Sequence, residues 1–433
     1  VGKVHLVSLG CPKNLVDSEK LLKRLGEKGL QYCANVDDSD IIMVNTCGFV
    51  EDAKRESIEE ILRVAALKKG NKKLLVLGCL AQRFGDDLIK EVPEIDALWG
   101  VGEEEHIAEY CERTVLPLLN SPLTKRRYRE GDAGDRFIDT PYAYLKIAEG
   151  CDRNCSYCVI PGIRGRFRSR RPDEILAEAE GLIQAGTKEI IVVAQDITSY
   201  GKDICRYDLS RLVGDIASIS GDFWIRLLYL YPTSVNDRLI ETIALEEKVC
   251  KYIDVPLQHA SAKILKLMGR GGSAASFEKL IGRVRSAVPD VNIRTTFIVG
   301  FPKETEEEFR ELEAFIRKMK FDRLGVFTYS KEEGTPSSKL KGQVPVRTKK
   351  SRYERLMAAQ SGISLEKNKS LVGRTFRAVV DEVSNDIAIA RISSQAPEID
   401  GVVFVEDGDL KKGEFVAVEI VDAYDYDLRG RIK

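Results

Sequence analysis

Six short apolar runs recur between residues 143 and 329, separated by segments of helical periodicity, and this alternation constrains the chain more than any other feature. The strand candidates are Ala143–Ala148, Glu189–Ala194, Phe223–Tyr229, Tyr252–Pro256, Asn292–Val299 and Arg323–Tyr329. Strands that alternate with helices pair in parallel, because each crossover returns the chain to the same end of the sheet. The first intervening helix opens with Pro172, whose fixed φ and missing N–H suit a helix start, and closes at Gly186. Six such units fall short of the eight that close a full barrel, so the expected core is an open, partial (β/α)6 barrel.

On either side the pattern changes. Residues 1–120 also read as α/β, with apolar runs at His5–Leu9, Ile41–Val44 and Leu74–Leu77 and helical periodicity over Leu15–Lys28 and Asp52–Lys69, implying a smaller parallel sheet. A polar, Pro-containing stretch at 121–140 is expected to be a linker before a core spanning 141–368, whose last helix is charged and runs from Val346 to about Asn368. Residues 369–433 carry short β-rich runs (Phe376–Val380, Ile387–Ile392, Val402–Val405, Phe415–Val421) between turn residues, as in a small antiparallel β-barrel. For 433 residues, roughly three domains is the ordinary expectation.

No apolar run approaches the ~18–20 residues needed to span a bilayer, and the first thirty residues lack a basic segment followed by an apolar stretch and cleavage site, so the expected location is the cytoplasm, with no membrane partner. Ten cysteines without the dense spacing of a secreted scaffold point to thiolate ligands in a reducing compartment.

Three of those cysteines stand in Cys151-Asp-Arg-Asn-Cys155-Ser-Tyr-Cys158, directly after the first strand of the core, at the edge where barrel active sites are built. A loop this short keeps three thiolates on one side of a 4Fe-4S cluster and leaves one iron open for a non-protein ligand. A closed zinc site would want a fourth ligand nearby, and His106 and His259 are distant in sequence. A C-x3-C-x2-C loop with an aromatic residue before its last cysteine resembles the radical S-adenosylmethionine superfamily. The resemblance implies that the open iron binds the amino and carboxylate groups of S-adenosyl-L-methionine, and that the reduced cluster cleaves it to a 5′-deoxyadenosyl radical.

Cys11, Cys47 and Cys79 are far apart in sequence, yet each stands just after an apolar strand candidate. In a parallel sheet such positions emerge at one carboxyl edge, so the three can converge on a second cluster; the alternative is that they are small apolar residues at strand ends. Cys33, Cys111, Cys205 and Cys250 follow no such pattern and read as structural. A three-cysteine domain, a radical S-adenosylmethionine core and a terminal β-barrel of the TRAM type together resemble the methylthiotransferase family across essentially the whole chain. Further matches are Gly10-Cys-Pro-Lys-Asn-Leu-Val-Asp-Ser-Glu19, Asp254-Val-Pro-Leu-Gln-His259, Lys266-Leu-Met-Gly-Arg270 and Tyr329-Ser-Lys-Glu-Glu-Gly-Thr-Pro336. The Cys-Pro-Lys-Asn start and the Asp422-Ala-Tyr-Asp-Tyr-Asp-Leu428 ending look like the branch that modifies ribosomal protein S-twelve rather than the branches that modify tRNA adenosine. This implies two 4Fe-4S clusters, an external electron donor, and methylthio insertion at the β-carbon of an aspartate. One S-adenosyl-L-methionine would methylate sulfur held at the second cluster and another would supply the radical. An unactivated carbon has no acidic proton worth removing, and no catalytic His or carboxylate pair is assigned. One departure is Lys303, where the family usually has glycine; if φ is positive there, lysine is strained.

Gln195-Asp196 and Gln258-His259 follow barrel strands and are placed to line the cofactor pocket, with Gln195 and Gln258 as the cofactor-binding candidates. Ile163-Arg-Gly-Arg-Phe-Arg-Ser-Arg-Arg171 carries five arginines, which suit phosphate, a carboxylate or solvent alike. Gly300-Phe-Pro-Lys-Glu304 is not a phosphate loop of the G-x4-G-K-[ST] pattern, which the chain lacks. A non-catalytic electron carrier would use the same cysteines but would not cleave S-adenosyl-L-methionine. Residues 371–433 hold thirteen acidic against eight basic residues, a net of −5, leaving +4 for the rest of a chain whose total is −1. An acidic module repels a nucleic-acid backbone and suits a basic protein, or serves solubility.

Overall fold

The computed structural model describes residues 2–115, 139–205, 207–384, 387–406 and 409–433, so most of the expected linker at 121–140 lies outside the described residues. The chain clusters into two compact units: the described parts of 1–139 together with Cys158–Arg166, and Thr140–Tyr157 together with the described parts of 167–433. Among the described residues no helix is long and apolar enough to cross a membrane.

The first unit is built on five parallel strands, β1 (Lys3–Ser8), β2 (Gln31–Tyr32), β3 (Ile41–Thr46), β4 (Lys73–Gly78) and β5 (Ala97–Trp99), in the order β2-β1-β3-β4-β5. All six residues of β3 are buried, as expected of a central parallel strand covered on both faces. Side chains alternate across it: Ile41 and Met43 join a core with Leu21, Leu25 and Ile107 of α1 (Pro12–Glu27) and α4 (Glu104–Val115). Ile42 and Val44 face Ile61, Val64, Leu80 and Leu88 of α2 (Glu51–Leu67) and α3 (Cys79–Glu91). Each fully buried Ile, Leu, Val or Met side chain contributes roughly 1.5–3 kcal/mol of transfer free energy. A short helix, α5 (Ile160–Arg164), packs on α3.

In the second unit β6 (Tyr142–Lys146) leads into a small hairpin of β7 (Ala148–Glu149) and β8 (Arg168–Ser169). Then come α6 (Pro172–Gln184), β9 (Glu189–Val193), α7 (Leu209–Ala217), β10 (Trp224–Leu227), α8 (Asp237–Leu245), β11 (Tyr252–Asp254), α9 (Ala262–Leu267), α10 (Ala274–Ala287), β12 (Asn292–Val299), α11 (Glu306–Met319) and β13 (Arg323–Thr328). Strands β6, β9 and β10 form one parallel sheet and β11, β12 and β13 another, joined by a parallel bridge between Ile225 and Val249, which is the six-stranded open barrel expected. Strand β12 alternates: Ile293, Phe297 and Val299 pack outward with Phe309, Leu312 and Phe315 of α11, leaving Arg294, Thr296 and Ile298 on the opposite face.

After α12 (Val346–Lys369) the chain closes a five-stranded barrel of β14 (Thr375–Ser384), β15 (Ile387–Ile392), β16 (Val403–Glu406), β17 (Phe415–Ala423) and β18 (Leu428–Ile432). All its pairs are antiparallel except β16 with β18, which lie side by side in the same direction because β17 intervenes in the chain. The sequence pattern omitted β18, where glycine between two arginines hides the strand period. This barrel docks on the amino edge of the core. Tyr142 and Tyr144 donate to Glu398, Tyr252 donates to Asp400 at 2.7 Å, and Arg294 pairs with Asp400 at 3.0 Å. The carboxyl edge of the core strands is therefore left to the cysteine loop.

Candidate active site

Strands β1, β3 and β4 are neighbours, so the residues that follow them share one edge. Cys11 sits at the N-cap of α1, Cys47 follows β3, and Cys79 begins α3. Strand order thus puts Cys11, Cys47 and Cys79 at one edge of the sheet, and burial pushes the Cys47 thiol up to about 11. Gly10, at φ +90°, turns the chain so tightly against Cys47 that a Cβ there would lie 2.6 Å from the Cys47 Cβ.

A polar belt locks this edge. Asn14 donates from Nδ2 to the carbonyls of Leu9 (3.1 Å) and Thr46 (2.9 Å), and Asn45 donates to the Asn14 carbonyl and the Ser18 hydroxyl, both at 2.9 Å. Ser57 Oγ accepts from Cys47 N and donates to Cys47 O. Arg164, at the end of α5, enters the belt: Nη1 donates to Asp17 Oδ2 (3.0 Å), and Nη2 donates to Asn14 Oδ1 (2.5 Å) and approaches Cys79 Sγ at 3.6 Å. Burial raises the Cys79 thiol pKa and the Arg164 charge opposes that rise. Of the five arginines in that segment, Arg164 is thus turned inward, Arg170 binds Glu178 and the Lys146 carbonyl, and exposed Arg171 pairs with Asp173 on the surface.

The second cysteine set lies on the loop between β7 and α5. Arg153 N donates to Cys151 Sγ at 3.4 Å, and Arg270 reaches Cys155 Sγ at 3.6 Å while donating to the Pro256 carbonyl. The guanidiniums of Arg153 and Arg270 both lie over the Tyr231 ring, 3.7 and 4.4 Å from its centroid. The backbone of Ser156 donates to the Met268 carbonyl and accepts from Ser337 N. The tight approach explains Gly269: at φ +69°, its Cβ would stand 2.4 Å from the Asn154 carbonyl oxygen. Burial raises the Cys151 thiol pKa.

Beside this loop Glu149 holds Lys146 (2.7 Å) and the amide of Gln195 (3.0 Å). The side-chain carbonyls of Gln195 and Gln258 are buried with no hydrogen-bond partner among the described residues, and Gln258 sits at φ +72°. Unpaired buried carbonyls and a strained backbone at a barrel edge fit a site that receives a polar ligand such as S-adenosyl-L-methionine. Their sequence neighbours face elsewhere. Asp196 is 2% exposed and takes Thr198, Ser199 and Arg153, while fully buried His259 accepts from Ser261 N and lies 3.6 Å from Glu304. His106 is exposed beside Glu103. Sequence reasoning passed over Glu149, Arg153 and the roles of Asn14, Asp17 and Arg270; the last three lie inside segments already noted for resemblance, which was the available signal.

Among the described residues no three His, Cys, Asp or Glu side chains are grouped tightly enough to share a single metal ion. A four-iron cluster binds each thiolate to a different iron, and for it the relevant fit is two cysteine sets, each approached by an arginine, Arg164 at Cys79 and Arg270 at Cys155. Cys111 and Cys250 are buried in the core, with thiols raised by burial to about 12 and about 11, whereas Cys205 is exposed.

Comparison with known proteins agrees with this geometry. Residues 3–100 match the model described as Uncharacterized protein family UPF0004, residues 145–316 the Radical SAM superfamily, and residues 372–432 the TRAM domain. Solved structures of similar fold include the radical S-adenosylmethionine methyltransferase TsrM from Kitasatospora setae, with a TM-score of 0.55 and 14% identity over 76% of this chain and 73% of that one. Fold and match together place the chain among radical S-adenosylmethionine enzymes. At closer range, the protein named "Ribosomal protein uS12 methylthiotransferase RimO" from Thermodesulfovibrio yellowstonii is 51% identical over 99% of both chains. The protein of that name from Geobacter sulfurreducens is 45% identical over 99% of this chain and 98% of its own. The chain belongs to the RimO methylthiotransferase family.

Proposed function

We propose that the protein attaches a methylthio group to ribosomal protein uS12 (S-twelve), at the β-carbon of an aspartate. The observation that carries this reading is end-to-end identity with relatives of that name, 51% of aligned positions in the Thermodesulfovibrio yellowstonii protein. Cys151, Cys155 and Cys158 hold the cluster at the barrel edge, with Gln195 and Gln258 accepting hydrogen bonds from S-adenosyl-L-methionine beside it. Cys11, Cys47 and Cys79 hold the second cluster. When bound, these groups supply the radical and the sulfur; the chain's own residues bind, orient and exclude water. Reduction needs an external electron donor, and the work is placed in the cytoplasm, where ribosomal proteins are found. The net charge of −5 over 371–433 suits a basic protein better than tRNA.

The test is mass spectrometry of uS12 and of bulk tRNA from cells lacking the chain. Loss of the methylthio mass from one uS12 aspartate, restored by the wild-type chain but not by Cys151→Ala, is expected. Unchanged uS12 together with loss of methylthio groups from tRNA would move the substrate to RNA.

A further inference from the structure

We propose that Arg164 is the positioning residue of the Cys11–Cys47–Cys79 site, donating to Cys79 and setting the reduction potential of the cluster held there. The proposal rests on the reading that these cysteines bind a cluster.

The Arg164 side chain is 1% exposed. A guanidinium is removed from water at such cost that every N–H has to be used well, and here the fork is divided. Nη1 is spent on Asp17 at 3.0 Å, which neutralises the charge. Nη2 is aimed between Asn14 Oδ1 and Cys79 Sγ, 2.5 and 3.6 Å away. Asn14 is itself pinned to the carbonyls of Leu9 and Thr46, at the ends of β1 and β3. The direction of Nη2 is thus fixed by the same belt that fixes the cysteines. Asp17 and Asn14, both on α1, tie α5 to that helix, and the same Nη2 that meets Asn14 also reaches the sulfur.

A donor and a nearby cation both stabilise the more negative, reduced form of an iron–sulfur cluster, so Arg164 raises its potential. Asp17, by opposing that charge, lowers it. The two residues should therefore act with opposite sign, which a purely structural tie does not require.

The experiment uses the full chain carrying Cys151→Ala, Cys155→Ala and Cys158→Ala, reconstituted anaerobically so that only the second site can hold a cluster. Iron content, the electron paramagnetic resonance spectrum and the midpoint potential are measured with Arg164, Arg164→Lys, Arg164→Gln and Asp17→Asn. At the potential where the parent is half reduced, Arg164→Gln should lower the reduced-to-oxidised ratio about tenfold, ~59 mV for a one-electron couple. Arg164→Lys should recover part of this, and Asp17→Asn should shift the ratio the other way. Retained iron with unmoved potential and spectrum in Arg164→Gln overturns the proposal. If that variant loses its iron, an unshifted potential in both Arg164→Lys and Asp17→Asn overturns it equally. A parent without iron would instead sink the ligand assignment on which the proposal stands.

Discussion

Arg391 of the terminal barrel and Glu189 at the start of β9 form an ion pair of 2.6 Å, with their side chains 1% and 0% exposed. Arg226 takes the other Glu189 oxygen, and Arg391 also holds Asp381. The terminal barrel is therefore bonded into the core by a buried charge network, and Asp381, Glu398 and Asp400 are spent on that docking. Arg391→Met leaves Glu189 and Asp381 short of a partner and should cost about 3–5 kcal/mol. Guanidinium denaturation followed by Trp fluorescence should show one transition for core and barrel in the parent, at lower denaturant in the variant. Separate melting of the barrel in the parent would count against this coupling.

Acid should loosen the same unit. Burial opposes charge on Glu189, but Arg226 and Arg391 hold its carboxyl below the usual range. Glu308 behaves alike: against its burial, hydrogen bonds from Lys263 and Thr305 hold it at about 2. A depressed carboxyl contributes stability that is complete above the unfolded value, about 4.3, and is lost as pH falls through the folded one. Asp381, raised by burial, works in the opposite sense. Stability should be nearly flat from pH 7 to about 5 and fall toward pH 2, and Glu308→Gln should flatten part of that slope; urea midpoints across the range provide the measurement.

Lys303 sits at φ +69°, the left-handed region that disfavours a Cβ. Lys303→Gly should raise stability by about 1 kcal/mol, read as a higher urea midpoint at unchanged slope. A lower midpoint would mean that contacts of the lysine outweigh the strain.

That strain was legible beforehand because a glycine expected by resemblance was missing. The barrel strands were legible too, since β12 and its neighbours repeat one period, and so was the placing of Cys11, Cys47 and Cys79 after neighbouring parallel strands, since strand direction fixes it. The partnership of Arg164 with Asp17 was not: 147 positions separate them, and a pair made by tertiary packing leaves no periodic trace. The docking of Glu398 and Asp400 was hidden for the same reason, so the acidity of the terminal barrel read as wholly available to a partner.

Gln195 and Gln258 offer buried carbonyls with no partner among the described residues. Gln258→Leu removes one acceptor and should weaken binding of S-adenosyl-L-methionine about tenfold, ~1.4 kcal/mol, at unchanged iron content. Isothermal titration of the reconstituted protein checks this, and unchanged affinity in both Gln258→Leu and Gln195→Leu would place the cofactor elsewhere.

The substrate prediction rests on the acids that docking leaves outside. Asp427 accepts from Val402 N and Asp425 from Ser361, so lysine at either would disturb local structure as well as charge. Glu382, Glu406 and Asp409 are exposed, and Glu406 is only 3.7 Å from Arg429 in a surface pair worth at most about 1 kcal/mol. Changing these three to lysine takes residues 371–433 from −5 to +1 with little expected cost to folding. Long-range attraction acts mainly on association rate and decays with salt, over ~8 Å at physiological ionic strength. The triple variant should therefore bind purified uS12 more slowly at low salt, and the difference from the parent should shrink as salt rises. Binding of the parent to bulk tRNA should be negligible at physiological salt. Equal association rates for parent and variant would assign the acidity to solubility, and tight, salt-sensitive tRNA binding by the parent would favour an RNA substrate.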